Sequence, residues 1–291
     1  NQALEAVESY FRHIRTMKAL GVRGIWTMHN FLEHDLPVHL RPANISALRR
    51  MATYADKVLV HGPEAIEALH VRIHRDLGDR LIELRHPMFD SLLNLAPTQP
   101  PELANQSRCF RFLCFGLLRP YKGAYELVRA MRQLLEHGKL ETSQLIVAGQ
   151  LIDSAVARLV ERLPEAFRKH IVVVNRRLSN SELVWLLKNS NVAVLPYRAV
   201  LTSGAYHLAS TFKLPSIAPD LGQFRATGTH GKDVLKYTPR IGLKHALALA
   251  MEMDSEELSS IGYGAYEKVA EQTEASFSLQ FQRILEDLWQ H

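Results

Sequence analysis

The chain has 291 residues, of which 47% are apolar and 22% charged, and its 35 Lys and Arg outnumber its 30 Asp and Glu. These are ordinary globular proportions, and they exclude collagen-like, mucin-like and disordered classes of protein. At roughly 100–150 residues per domain, the length predicts two domains, each large enough for its own core. No apolar run approaches the roughly 20 residues that a membrane-spanning helix needs.

The first domain is predicted over residues 1–90, where short apolar strands alternate with helical patterns. It opens with a helix over residues 2–19. After that helix, strands are predicted at 24–28, 57–61 and 81–84, and helices at 46–55 and 63–77. Pro63 favours the start of the last helix because proline is tolerated in the first turn.

A linker is predicted at 91–107, where Pro97, Pro100 and Pro101 interrupt any period. The second domain is predicted over 108–275, with strands at 110–115, 144–149, 171–174, 192–196 and 215–218. Short all-apolar strands separated by helices predict an α/β fold with a parallel sheet covered on both faces, a doubly wound Rossmann-like domain. The last segment, 276–291, carries one apolar stripe and is predicted to be a helix that packs back across the domain junction.

The loop after the first strand of the second domain combines a glycine with two cations. Gly116 allows a ligand to approach the backbone, and Arg119 and Lys122 lead into the N-terminus of the next helix, whose dipole favours anions. This pattern fits a diphosphate. It is neither a Walker loop nor a Gly-x-Gly-x-x-Gly dinucleotide fingerprint. An exposed basic turn is the alternative interpretation.

Other strand ends offer weaker candidates. Thr202 and Ser203 are suited to capping the helix that follows the strand at 192–196, and Gly204 would let a phosphate reach the free amides of its first turn. An ordinary helix cap explains the same residues. Gly149 follows another strand as a close-approach glycine, and residues 175–178 offer backbone to a nucleotide base.

His29 ends the first strand of the first domain, and His34 follows five residues later. A histidine at a strand end can bond a sugar hydroxyl or act as an acid or base. A structural histidine is the alternative.

Taken together, the strand-end motifs resemble a GT-B glycosyltransferase of the large retaining family that includes sucrose and glycogen synthases and bacterial polysaccharide transferases. The motifs are Trp26-Thr27-Met28-His29-Asn30, Phe115-Gly116, Arg119, Tyr121-Lys122-Gly123, Val147-Ala148-Gly149, Leu195-Pro196-Tyr197-Arg198, Ser203-Gly204 and Leu214 to Pro219 with Gly222. The resemblance implies two Rossmann-like domains that face a cleft. With only three strands predicted before residue 90, it also implies that part of the first domain lies outside this sequence.

The resemblance further implies roles for individual residues. Arg119 and Lys122 would hold the diphosphate of a UDP- or GDP-linked sugar and stabilise the leaving nucleotide, so that no metal or other cofactor is needed. Backbone and side chains around the donor would come from Gly116, Gly149, Arg198, Thr202, Ser203 and Gly204, with the base at Leu178. His29 would lie near the transferred sugar. The acceptor implied is a saccharide or a lipid-linked saccharide.

One departure from the family bears on activity. The family has two glutamates with seven residues between them, and the matching positions here are Val200 and Leu208. The loss keeps two alternatives open, a non-catalytic partner subunit of a transferase and a sugar-nucleotide epimerase. Nucleic-acid binding is disfavoured because no Lys/Arg cluster is interleaved with aromatic residues.

A location in a reducing, cytoplasmic compartment is expected, because Cys109 and Cys114 are spaced to point to opposite faces of one strand. The first domain carries basic residues that could contact an anionic membrane surface peripherally, with solvated helix faces as the alternative: Arg12, Arg15, Lys18, Arg23, Arg41, Arg49 and Arg50.

Overall fold

The computed structural model describes residues 2–29, 38–73, 76–104, 109–140, 142–238 and 242–290. The described residues divide into two compact units. The first unit comprises 1–86 together with 275–291, and the second comprises 87–274. Within the described part of the chain, none of the helices combines the length and the apolar character that a membrane crossing requires.

The first unit contains a sheet of three parallel strands in the order β1-β2-β3. Its elements are α1 (Gln2–Ala19), β1 (Ile25–Thr27), α2 (Arg41–Tyr54), β2 (Lys57–Val60), α3 (Pro63–Ile73) and β3 (Leu81–Glu83). Helix α2 begins earlier than predicted, with a proline in its first turn, and α3 ends earlier. The last helix, α12 (Glu274–Gln290), belongs to this unit from Ala275 onward, and its Asp287 pairs with Lys57 at 2.6 Å.

The second unit contains six parallel strands in the order β6-β5-β4-β7-β8-β9, where β4 is paired on both sides. The strands are β4 (Phe110–Phe115), β5 (Ser143–Ala148), β6 (Ile171–Val174), β7 (Val192–Val194), β8 (Ser216–Pro219) and β9 (Leu235–Tyr237). The helices are α4 (Ala124–Glu136), α5 (Ser154–Glu161), α6 (Glu165–Arg168), α7 (Asn180–Lys188), α8 (Gly204–Thr211), α9 (Gly222–Ala226), α10 (Gly242–Glu252) and α11 (Ser255–Ala270). This is the doubly wound arrangement that the sequence predicts.

Most strands of the second unit are buried on both faces, which explains the apolar runs in their sequences. Every residue of β5 is buried, and α4 covers one face of the sheet with Leu127, Met131 and Leu134. Helix α7 begins with the predicted capping box, because the Ser179 hydroxyl accepts from the Glu182 amide and the Glu182 carboxylate accepts from the Ser179 amide.

The segment predicted as a linker is part of the second unit in the structure. Its described residues include two short 3-10 turns, one of which spans Pro101–Leu103 and buries Leu103 completely. The Thr98 amide donates to the Ser181 carbonyl at 3.0 Å. The prolines interrupt helix and strand periods but do not prevent the segment from packing.

Candidate active site

Two loops meet at the carboxyl edge of the second sheet, where neighbouring strands β4 and β7 end. The Arg198 amide donates to the Tyr121 carbonyl at 2.8 Å. Gly123 has a φ of +72°, and a Cβ there would lie 1.9 Å from the Pro196 carbonyl oxygen. Only glycine fits, since both the left-handed backbone and the close approach exclude a side chain. The sequence predicted these two loops as ligand loops, and the structure brings them into contact.

Lys122 belongs to the β4 loop, and its side chain contacts Tyr197 in the β7 loop. Its ammonium is 5.2 Å from the centre of the Tyr197 ring, and a Cβ on Gly116 would be 3.9 Å from it. Burial alone would lower the pKa of Lys122. The Tyr197 and Tyr121 hydroxyls and the Cys114 thiol outweigh burial, and the pKa is raised. Lys122 is therefore a half-buried cation at neutral pH.

Arg119 is the second cation of the β4 loop. It is exposed and lies immediately before the 3-10 turn Pro120–Lys122, and its carbonyl accepts from the Lys122 amide at 2.9 Å. Among the residues that the structure describes, neither Arg119 nor Lys122 has a carboxylate within ion-pair distance. Two cations whose charge is not neutralised by the described chain are suited to hold an anion.

The start of helix α8 is organised around Ser203. This residue is 3% exposed, and its hydroxyl accepts from the Tyr206 amide and bonds the Tyr197 hydroxyl at 2.8 Å. The Ser203 amide donates to Gln223 Oε1 at 2.6 Å. The Ser203 hydroxyl thus forms the helix cap for which the sequence suited it. Thr202 and Gly204, on either side of Ser203, are half-buried.

Arg198, predicted to contact a donor, forms an ion pair with Glu126 on the first turn of α4. This carboxylate raises the pKa of Arg198. The pair joins the β7 loop to the helix that follows the β4 loop. Sequence reasoning did not single out Glu126, because an acidic residue in a first helical turn is an ordinary feature of helices.

Gly149 has a φ of +130°, and a Cβ there would lie 2.0 Å from the Gly116 carbonyl oxygen. The close approach predicted for Gly149 is therefore made by the protein's own backbone. Leu178, predicted near a base, is half-buried and packs on the apolar core under the sheet edge.

Arg176, beside Leu178 in sequence, is held by two carboxylates. It bonds Glu102 at 2.8 Å and Glu182 at 2.7 Å. The hydrogen bond from Arg176 lowers the pKa of Glu182 to about 2. This arginine anchors the 3-10 turn near Leu103 to the start of α7.

The positions that match the two family glutamates are part of the packing. Leu208 is 8% exposed and belongs to an apolar cluster, and Val200 packs at the edge of another. A Cβ on Gly222 would lie 2.1 Å from the Val200 carbonyl oxygen, so this loop is in backbone contact with the start of α9.

His29 belongs to the first unit, and the cations described above belong to the second. Its exposed ring lies with Nδ1 3.1 Å from His61 Nε2. His61 Nδ1 is in turn 2.9 Å from the Leu84 carbonyl oxygen. His34 lies outside the described residues. Across the described part of the chain, no three His, Cys, Asp or Glu side chains are placed to hold a metal ion.

Comparison with known proteins places this geometry in a family. Residues 109–253, about half of the chain, match the family model for glycosyl transferases group 1. No curated protein sequence matches the chain significantly.

Three solved structures illustrate the similarity in fold. Sucrose-phosphate synthase from Thermosynechococcus elongatus is 18% identical with a TM-score of 0.71, and the match covers 91% of this chain and 67% of the synthase chain. Anabaena HepE in complex with UDP-glucose is 15% identical with a TM-score of 0.74, covering 97% and 77%. A UDP-forming α,α-trehalose-phosphate synthase from Burkholderia xenovorans, in complex with glucose-6-phosphate, is 16% identical with a TM-score of 0.73, covering 94% and 71%.

The GT-B fold predicted from the strand-end motifs is confirmed by these structures, and the family match rests on the unit that carries Arg119 and Lys122. The chain therefore contains a glycosyl transferases group 1 domain on the GT-B fold, and it is a glycosyltransferase.

Proposed function

We propose that the second unit binds a nucleotide-diphosphate sugar, with UDP-glucose as the first candidate, and that the enzyme transfers the hexose to a saccharide or lipid-linked saccharide. The observation that carries the proposal is the pair of cations, Arg119 and Lys122, without a neighbouring carboxylate in the described chain. They flank Tyr121, whose carbonyl accepts from the Arg198 amide in the loop that leads to α8. Structural neighbours solved with UDP-glucose and UDP support the choice of donor.

The reaction breaks the bond between the sugar anomeric carbon and the β-phosphate oxygen. Negative charge then develops on the leaving diphosphate. Fixed cations at that point stabilise the transition state more than the ground state, and they act strongly because half-buried Lys122 is partly shielded from water. The Gly204 and Ala205 amides, which the Ser203 cap does not use, add the positive dipole end of α8. These groups supply the charge stabilisation without a metal ion, so we propose a metal-independent transferase.

Retention of the anomeric configuration is proposed by resemblance to the retaining family. His29 is assigned to the transferred sugar, where its imidazole would bond a hydroxyl. Val200 and Leu208 offer no carboxylate for the ribose or the sugar, so in this chain those contacts fall to backbone and to other side chains. Retention is tested by NMR of the product formed in the first turnover. The transferred sugar should keep the anomeric configuration that it had in the donor.

The donor proposal is tested by titrating the chain with UDP-glucose, GDP-glucose and UDP in the presence of EDTA. We expect UDP-glucose to bind by calorimetry and to raise the melting temperature, because a ligand at 100 times its Kd adds about 2.7 kcal/mol of stability. We also expect release of UDP when a saccharide acceptor is supplied, unaffected by EDTA. Binding without turnover on any acceptor would favour the non-catalytic subunit. An isomerised sugar nucleotide would favour the epimerase, and no binding of any nucleotide would refute the proposal.

Polysaccharide biosynthesis at the inner face of the cytoplasmic membrane is the setting that we propose. Exposed apolar side chains at the end of α1 support a peripheral contact, since Leu20 is 73% and Val22 40% exposed, and Arg12 and Arg15 on the same helix are exposed as well. Lys18 is less available because it pairs with Asp56 at 2.5 Å.

This contact predicts sedimentation with phosphatidylserine vesicles at low salt and release at high salt, where surface charges are screened. Phosphatidylcholine vesicles are the matched control and should bind weakly. Equal sedimentation with both lipids, or with neither, would exclude an electrostatic membrane contact.

A further inference from the structure

The carboxyl edge of the first unit's sheet carries two histidines and a carbonyl in a row. His29 follows β1, His61 follows β2 and Leu84 follows β3, and the three strands are neighbours in that order. The backbone hydrogen bonds of the sheet continue to this edge. The Met28 amide donates to the Leu59 carbonyl at 2.9 Å, and the Leu84 amide donates to the Val60 carbonyl at 2.8 Å. The row is therefore held by the sheet itself.

Hydrogen-bond chemistry fixes where the protons lie along this row. The Leu84 carbonyl can only accept, so His61 Nδ1, 2.9 Å away, must carry a hydrogen. A neutral His61 then has a lone pair on Nε2. His29 Nδ1 lies 3.1 Å from that lone pair, and it must carry a hydrogen in turn. A neutral His29 is left with its lone pair on Nε2.

His61 is suited to stay neutral. It is half-buried, and burial, together with the nearby His29 and His86, lowers its pKa. The ring centres of His61 and His86 are 5.6 Å apart, and those of His61 and His29 are 5.0 Å apart. Both ring nitrogens of His61 are used in these hydrogen bonds, so the unused lone pair of the row is the one on exposed His29 Nε2.

We propose that His61 is a positioning residue that holds His29 in the tautomer with hydrogen on Nδ1 and a lone pair on Nε2. His29 then accepts a hydrogen bond at Nε2, and its partner is a ligand hydroxyl that donates. The identity of that ligand as the transferred sugar rests on the proposed function. Free neutral histidine prefers the opposite tautomer, with hydrogen on Nε2, so the row reverses the intrinsic preference and makes His29 select a donor hydroxyl.

The tautomer is measured by two-bond 15N–1H NMR on the ligand-free full chain labelled at histidine, near pH 8, with His29 assigned through His29→Gln. In the wild type we expect a protonated Nδ1 and a lone-pair Nε2 on His29. His61→Phe keeps a ring of similar size but no nitrogen, and we expect His29 to revert to the Nε2–H tautomer. His86→Phe is the matched control, and it should leave the His29 signals unchanged. Should His61→Phe fail to fold, His61→Asn keeps a donor for the Leu84 carbonyl, and its shorter side chain places no acceptor at the position of His61 Nε2.

Turnover of UDP-glucose supplies the functional readout. We expect His61→Phe to lower kcat about 10- to 100-fold and to leave the calorimetric Kd for UDP unchanged, because His61 is not in the nucleotide-binding unit. A wild-type His29 with hydrogen on Nε2, a tautomer indifferent to His61→Phe, or unchanged kcat in that variant would overturn the proposal. Since the tautomer is read without ligand, that result stands apart from the nucleotide proposal, which fails only if the wild type binds no nucleotide.

Discussion

Lys122→Ala should abolish most of the affinity for UDP-glucose while leaving the fold intact. The Lys122 ammonium is half-buried beside Tyr197 and has no carboxylate partner in the described chain. A charge-assisted hydrogen bond contributes about 1.5–3 kcal/mol, so the loss corresponds to about a 10- to 100-fold weaker Kd. Turnover should fall further, by about 100- to 1,000-fold, because charge on the leaving diphosphate grows in the transition state.

Stability should hardly change in this variant, since no ion pair is broken and the contact with the Tyr197 ring contributes about 0.5–1 kcal/mol. Lys188→Ala removes an equal charge from an exposed position on α7 and is the matched control. Calorimetry with UDP-glucose and a thermal melt of the free protein measure both effects. If Lys122→Ala and Lys188→Ala bind UDP-glucose as tightly as the wild type, the cation site is assigned wrongly. If Lys122→Ala melts much lower than Lys188→Ala, Lys122 has a structural role instead.

The fold could be read from the sequence because most of its elements agree with their local patterns. Strand β5 is buried throughout and apolar from Leu145 to Ala148, and the capping box at Ser179 and Glu182 forms as its spacing predicts. Strand β9 (Leu235–Tyr237) was not predicted. It has three residues, only one of them fully buried, and its position at the edge of the sheet depends on pairing with β8, which no local pattern reveals.

The loops of the candidate site could also be predicted, because parallel strands place their carboxyl ends at one edge. The state of each side chain in them could not. Arg198 is paired with Glu126, 72 residues away, and Arg176 with Glu102, 74 residues away. Such partners are set by tertiary packing. Arg119, by contrast, has no acidic partner in the described chain, a difference that motif spacing alone does not reveal.

Packing also decides what a glycine is for. Gly149 was predicted to admit a ligand, yet its missing side chain makes room for the Gly116 carbonyl. The two glycines thus let β4 and β5 end in contact, and Gly116 remains the one whose Cβ position faces the Lys122 ammonium at 3.9 Å. Gly116 and Gly149 look alike in sequence, each following an apolar strand, and only the neighbouring strand distinguishes their roles.

Gly123→Ala is expected to destabilise the second unit by about 3 kcal/mol or more. The new Cβ would lie 1.9 Å from the Pro196 carbonyl oxygen, which is rigid backbone and cannot move aside cheaply. A left-handed φ of +72° adds about 1–2 kcal/mol of strain for a residue with a side chain, and overpacking adds about 1–3 kcal/mol. For a unit of this size, about 3 kcal/mol corresponds to a fall of roughly 6–12 °C in melting temperature.

Gly231→Ala is the matched control, because Gly231 has nearly the same φ, +75°, and its Cβ would meet nothing within 4 Å. That variant carries the backbone strain alone, about 1–2 kcal/mol, so its melting temperature should fall by only about 2–8 °C. Gly123→Ala should also weaken UDP-glucose binding, because the carbonyl it displaces belongs to the loop that carries Arg198 and leads into Ser203. Equal melting temperatures for the two variants would mean that the β4 and β7 loops do not meet at Gly123. A large fall in stability with unchanged UDP-glucose affinity would mean that their contact supports the fold but not the donor site.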